Sequence, residues 1–221
     1  MMKRIAAIAL LAGSAAPAAA AAVLDFDAAR GRNGRTGYVY GPWLEDGFRV
    51  SADRCPANNG ACFVTTGTTL TSLDRTGAAL TNQLGGAVVT VARVDGAAFV
   101  LDELTMANNY GNFSGFGPVT MDVDFTFAFA DGSSRAQTYV LDNFAGQRLT
   151  PNVLTFDLSP LLSFSFTPRA GSSGFVQFDN IRLGDVAAVP EPASWAMMIV
   201  GIGAAGGALR RRRSPALVTL G

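Results

Sequence analysis

The chain has 221 residues, with 17 basic and 17 acidic side chains and no histidine. The missing histidine removes Ser-His-Asp and Cys-His catalysis, HExxH metalloprotease chemistry and His-containing zinc sites together. Lys3 is the only lysine, so neither a Schiff-base lysine nor an amine general base is available in the body of the protein.

Residues 1–22, MMKRIAAIALLAGSAAPAAAAA, read as a signal peptide. Lys3 and Arg4 form a positive start, Ile5 to Ala12 an apolar core, and the alanine run a small-residue cleavage site near Ala20 to Ala22. The apolar run is too short to span a bilayer as an uncleaved anchor. Export by the Sec machinery and cleavage by signal peptidase are therefore expected. Setting aside residues 1–22 and 189–221 leaves 166 residues, a length that suits one domain with a sizeable core. Without Lys3, Arg4, Arg210, Arg211, Arg212, Arg213 and Glu191, that middle keeps 11 basic and 16 acidic residues. A mildly acidic domain without basic clusters is poorly suited to nucleic acid phosphates, and no nucleic acid partner is expected.

Residues 23–188 predict an all-β domain, an antiparallel β-sandwich or jelly roll. The clearest strand is Val119 to Ala130, VTMDVDFTFAFA, where Val119, Met121, Val123, Phe125, Phe127 and Phe129 share one face. Thr120, Asp122, Asp124 and Thr126 share the other with Ala128, so one face is expected in the core and one in water. The ADGSS that follows predicts a hairpin, with Asp131 and Gly132 supplying positive φ, and Arg135 to Leu141 returns. Further strands are expected at Gly47–Ala52, Cys62–Thr66, Ala87–Val94, Ala98–Leu104, Val153–Leu158, Leu161–Thr167 and Phe175–Leu183. Short strands with Gly-rich turns, and 15 phenylalanines against 4 tyrosines, suit a core between two facing sheets. FVLDEL, YVLDNF and VQFDNI resemble one another, which we read as strands ending in Asp-initiated turns. Cys55 and Cys62 flank PANNGA; in an exported domain they are expected to pair as a disulfide, with free or redox-active thiols as the alternative.

Residues 189–213 change character. Pro190, Glu191 and Pro192 form a stiff extended hinge, and Pro192 is suited to starting a helix. An apolar glycine-rich run follows, then Arg210, Arg211, Arg212 and Arg213 as a membrane stop. Trp195 at the outer interface and the arginines inside give one transmembrane helix with its N-terminus out. The 15 residues from Trp195 to Leu209 fall short of the ~20 that span a bilayer. Residues 214–221 would be a cytoplasmic tail.

This stretch resembles the PEP-CTERM sorting signal in its PEPxxWA form, matched at Pro190, Glu191, Pro192, Trp195 and Ala196. The resemblance implies a Gram-negative exported protein held briefly in the inner membrane and recognised by exosortase, then delivered to the cell surface or beyond. It also implies association with exopolysaccharide and biofilm. GPWLEDGFRV, the turn at Asp131 to Ser133 and the closing FDNIRL resemble, more weakly, the β-sandwich domains of such proteins. FDNI also resembles galactose-binding-type jelly rolls, many of which bind carbohydrate. That likeness implies that the last strand brings Asp179 near Asp25 and Asp27, a candidate structural Ca²⁺ site; the alternative is that they cap turns or face water.

The expected function is that of a non-enzymatic surface or matrix protein. The alternative is a carbohydrate-binding module that retains the protein in exopolysaccharide, with Tyr38, Tyr40, Trp43 and Tyr110 as stacking candidates and Asn108 and Asn109 beside them. Trp43 also fits a core role. For a hydrolase, Asp122 with Asp124 and Asp102 with Glu103 are the available carboxylate pairs. The first is more simply a solvated strand face, and the second pair would point to opposite faces.

Overall fold

In the computed structural model of the chain, residues 21–31, 36–57, 60–67, 72–74, 76–109, 120–142, 149–169, 175–186 and 192–211 are described. The leader through residue 20, Tyr110, Pro190, Glu191, Arg212 and Arg213 lie outside them. The chain divides into two units, Met1–Val186 and Ala187–Gly221.

Among the described residues, the first unit is antiparallel β with one short 3-10 turn at Asp27–Ala29. In chain order its strands are β1 (Ala22–Leu24), β2 (Gly37–Val39), β3 (Trp43–Glu45), β4 (Phe48–Ala52), β5 (Phe63–Thr66), β6 (Ala79–Asn82) and β7 (Val89–Arg93). β8 (Phe99–Asn108), β9 (Met121–Phe129), β10 (Ser134–Leu141), β11 (Asn152–Pro168) and β12 (Val176–Asp185) follow. One layer runs β2-β5-β6-β12-β8 and ends on the first half of β11, with β1 also on β12. The other runs β3-β4-β7 to the second half of β11, then β9 and β10. β11 thus belongs to both. The sequence predicts two strands here, but the structure keeps one, with register shifts between Thr155, Leu158 and Leu161 where it changes layers. Pro160 sits at that change, has no N–H to give, and uses its carbonyl to accept from Ala130 N at 2.9 Å.

The layers meet through phenylalanine. Phe166 of β11 lies edge-on to Phe178 of β12 at 5.1 Å, and Phe48 of β4 edge-on to Phe99 of β8 at 5.3 Å. The alternation in β9 holds: Met121, Val123, Phe125 and Phe127 are buried, while Asp122, Asp124 and Thr126 face outward. Its hairpin forms, but only Gly132 takes positive φ (85°). Asp131 instead accepts from Ser133 N at 2.8 Å, an Asx turn that needs no left-handed residue at that position. β1, β2, β3 and β6 have three or four residues each, too few for a period to register in the sequence. Ala22, read above as the last leader residue, pairs with Leu183 in β1.

Candidate functional site

β1 and β12 pair with Leu24 opposite Ile181, which sets the chain just after β1 beside Asp179. Asp179 is only 1% exposed. Burial pushes its carboxyl up to about 8; the Asn180 N–H opposes that shift, and the charges of Asp74, Asp27 and Asp25 add to it. Asn180 adopts φ 50°, and its backbone N and Nδ2 donate to the two Asp179 oxygens at 2.8 and 2.9 Å. Asp25 and Asp27 thus act electrostatically on Asp179, as does Asp74, which the sequence reading does not name.

These carboxylates are within electrostatic range of one another, but each is already bonded to its own chain. Asp27 Oδ1 accepts from Ala78 N at 2.9 Å, and Asp25 Oδ1 from Asp27 N at 3.1 Å. Asp74 Oδ1 accepts from Thr76 N and Oγ1 at 2.7 and 2.8 Å. Among the described residues, no group of three or more His, Cys, Asp or Glu is arranged to hold a metal ion. Gly77 lets this neighbourhood close up: a Cβ there would lie 1.7 Å from Asp27 Oδ1 and 2.5 Å from Asp74 Oδ2.

The stacking candidates separate. Tyr38, in β2, and Tyr40, just after it, are 59% and 71% exposed. Trp43 is half-buried, packs against the core and donates its Nε1 to Glu45 Oε2 at 2.9 Å. Burial raises the Glu45 carboxyl, the Trp43 bond lowers it, and the Asp25 charge raises it further. Asn108 and Asn109 are buried, so they do not line a surface beside the tyrosines. Tyr110 lies outside the described residues.

Asp122 and Asp124 do share a face, and Arg169 spans them at 2.8 and 2.9 Å. Hydrogen bonds from Arg169, then Thr138, hold the Asp124 carboxyl below its ordinary range. That favours a permanent ion pair over a proton donor. Glu103 faces Arg182 at 3.5 Å, and Asp102 is exposed. Cys55 and Cys62 form a disulfide. It closes a short loop next to β5, where Cys62 N donates to Val39 O at 2.8 Å and ties the β2 edge down.

In the second unit, a helix α1 spans Pro192–Arg211 and starts at the proline, as expected. It contains Trp195, Ala196, Arg210 and Arg211. Met198, Ile199, Val200 and Ile202 are exposed on it. No helix among the described residues is long and apolar enough to cross a membrane.

No curated protein matches the chain in sequence. Similar solved structures include a family 29 carbohydrate-binding module variant complexed with mannohexaose, with 10% identity and a TM-score of 0.38 over 75% of this chain and 90% of that one. CBM29_1 from Piromyces equi has 8% identity and a TM-score of 0.37 over 76% and 92%. The CBM32 of AlyQ, in complex with 4,5-unsaturated mannuronic acid, has 12% identity and a TM-score of 0.35 over 62% and 94%. The likeness is one of strand architecture, and no binding residue is carried over from it. Residues 188–213 match the family model of the PEP-CTERM protein-sorting motif. That match, over a stretch whose helix starts at Pro192, makes this chain a carrier of the PEP-CTERM protein-sorting motif.

Proposed function

We propose that the chain is an exported, non-enzymatic surface protein, sorted and processed by an exosortase that reads Pro190, Glu191 and Pro192. The matched motif carries this reading. Helix α1 serves as a brief hold in the inner membrane, with flanking arginines snorkelling and local thinning covering its short apolar length. The β-sandwich is the cargo, delivered to the cell surface or the exopolysaccharide around it. Replacing Pro190, Glu191 and Pro192 by alanine is expected to leave the protein unprocessed in the membrane fraction, read by fractionation and immunoblot. Unchanged release would end the proposal.

A second reading rests on Tyr38 and Tyr40. Tyr38 lies in β2 and Tyr40 directly follows it; where the strand direction continues, alternate side chains point the same way, roughly 7 Å apart. Two exposed rings so placed offer faces for successive sugar rings, so we propose that this edge contacts exopolysaccharide. Tyr38→Ala with Tyr40→Ala is expected to lower retention in the matrix at least tenfold, with the fold unchanged by circular dichroism. Equal retention of variant and parent in a matrix pull-down would refute it.

A further inference from the structure

Sheet edges expose unpaired backbone groups, and folded proteins usually keep them short, charged or interrupted by proline or a bulge. Here β1, β2 and β3, which end their layers, have three residues each. β10 differs. It has eight residues, SRAQTYVL, with no proline and no lysine, and its eight residues pair with β9 without a register shift. Among the described residues β9 is its only strand partner. Its single charge, Arg135, is turned along the strand, donating to Gln137 Oε1 at 2.9 Å.

The hairpin fixes which backbone groups are open. Phe129 N donates to Ser133 O at 3.0 Å, so that pair is a hydrogen-bonded one. Bonded pairs recur at every second residue of an antiparallel ladder. Arg135, Gln137, Tyr139 and Leu141 therefore bond to β9, and Ser134, Ala136, Thr138 and Val140 aim their N–H and C=O groups at the open edge. All four of these are exposed.

We propose that β10 is a self-docking strand that pairs antiparallel with β10 of a second copy, about a two-fold axis through Gln137. In that register Ala136 exchanges both backbone bonds with Thr138 of the second copy, and Ser134 does so with Val140. Every open group of the strand is used. Side chains match as well: Arg135 lies across from Tyr139, a cation beside an aromatic ring, and Gln137 meets its own copy, an amide pair that can both donate and accept. No charge opposes its like. The two outer layers then join into one continuous sheet across the dimer.

The chain has no free cysteine, so one introduced thiol reports on one contact. Directly opposite residues in a non-hydrogen-bonded pair have Cβ atoms about 4.5–5.5 Å apart, close to what a disulfide needs. The full-length Gln137→Cys protein is expected to form a covalent dimer under mild oxidation, while Thr126→Cys, on the neighbouring strand, stays monomeric on a non-reducing gel. Gln137→Lys and Gln137→Glu each place like charges face to face and are expected to weaken dimerisation at least tenfold by analytical ultracentrifugation. Mixing the two is expected to restore it. Association driven by helix α1 or by a different partner strand would ignore these charges. The proposal is overturned if Gln137→Cys is not captured, if the lysine variant dimerises like the parent, or if mixing restores nothing.

Discussion

Phe178→Ala is expected to lower the stability of the sandwich by about 3–5 kcal/mol, read as a shift in the urea midpoint at unchanged slope. Phe178 has no exposed surface. Its ring meets three others edge-on or nearly so: Phe166 at 5.1 Å, Phe26 at 5.6 Å and Phe63 at 6.1 Å. Phe166 belongs to the opposite layer, Phe63 to β5, and Phe26 to the segment that follows β1. One truncation therefore opens a void shared by elements far apart in sequence. Phe26 adds to the cost, since it holds φ 56°, an unfavourable conformation for a bulky residue that its burial against Phe178 supports. Tyr139→Ala is a useful contrast, because Tyr139 is only half-buried at the far end of the second layer. A loss at Phe178 no larger than at Tyr139 would show that the layers are not joined through this ring.

The regular parts of this fold were legible because each carries its signal within a few residues. β9 alternates strictly, so its buried and wet faces could be read directly; Thr120 and Ala130 fall just outside it, and Val119 lies outside the described residues. The β3–β4 hairpin, by contrast, escapes the sequence reading, which puts Gly47 inside a strand; the structure has Asp46-Gly47 as the turn between Glu45 and Phe48, both at positive φ (46° and 79°). That dipeptide is a local signal for a two-residue turn, although β3 itself is too short to show alternation. The sorting motif was legible because it is linear and its parts occur in fixed order.

What the sequence hid depends on pairing at a distance. β11 looks like two strands because the break around Pro160 resembles a loop, and only the partners β8, β7 and β9 reveal one strand serving both layers. FDNI looks like a strand with a turn-initiating Asp, like the LDNF at Leu141–Phe144. The two aspartates differ because β6 and β8 flank β12, where Asp179 is buried, whereas Asp142 is exposed. Asp74 escaped notice since nothing in its own sequence marks it. Gly77, whose missing Cβ lets Asp74 approach Asp27, is the one local signal, and it is legible only after the fold is known.

Asp179→Asn is expected to flatten part of the pH dependence of stability and to make the domain more stable than the parent at pH 8 and above. An aspartate in the unfolded chain loses its proton near ~4. In the folded protein Asp179 keeps it up to about 8, chiefly because burial disfavours the charge. Between those values the unfolded state binds fewer protons, so the folded state loses stability as pH rises. The contribution is fully present below pH ~4 and gone above about 8, and burial makes it on the order of a few kcal/mol. An asparagine has no proton to lose, and its oxygen can still accept from Asn180 N, which keeps the left-handed turn in place. Asp124 and Asp74, whose carboxyls sit below their ordinary range, act in the opposite sense at low pH. They are common to both proteins and cancel in the comparison. Urea midpoints of the two proteins should therefore converge near pH 4 and separate steadily toward pH 8. Parallel curves would mean that Asp179 is already ionised in the fold. The same titration with millimolar calcium is decisive: a rise in the parent's midpoint at pH 8, absent from the variant, would replace the buried proton with a cation held among Asp25, Asp27, Asp74 and Asp179.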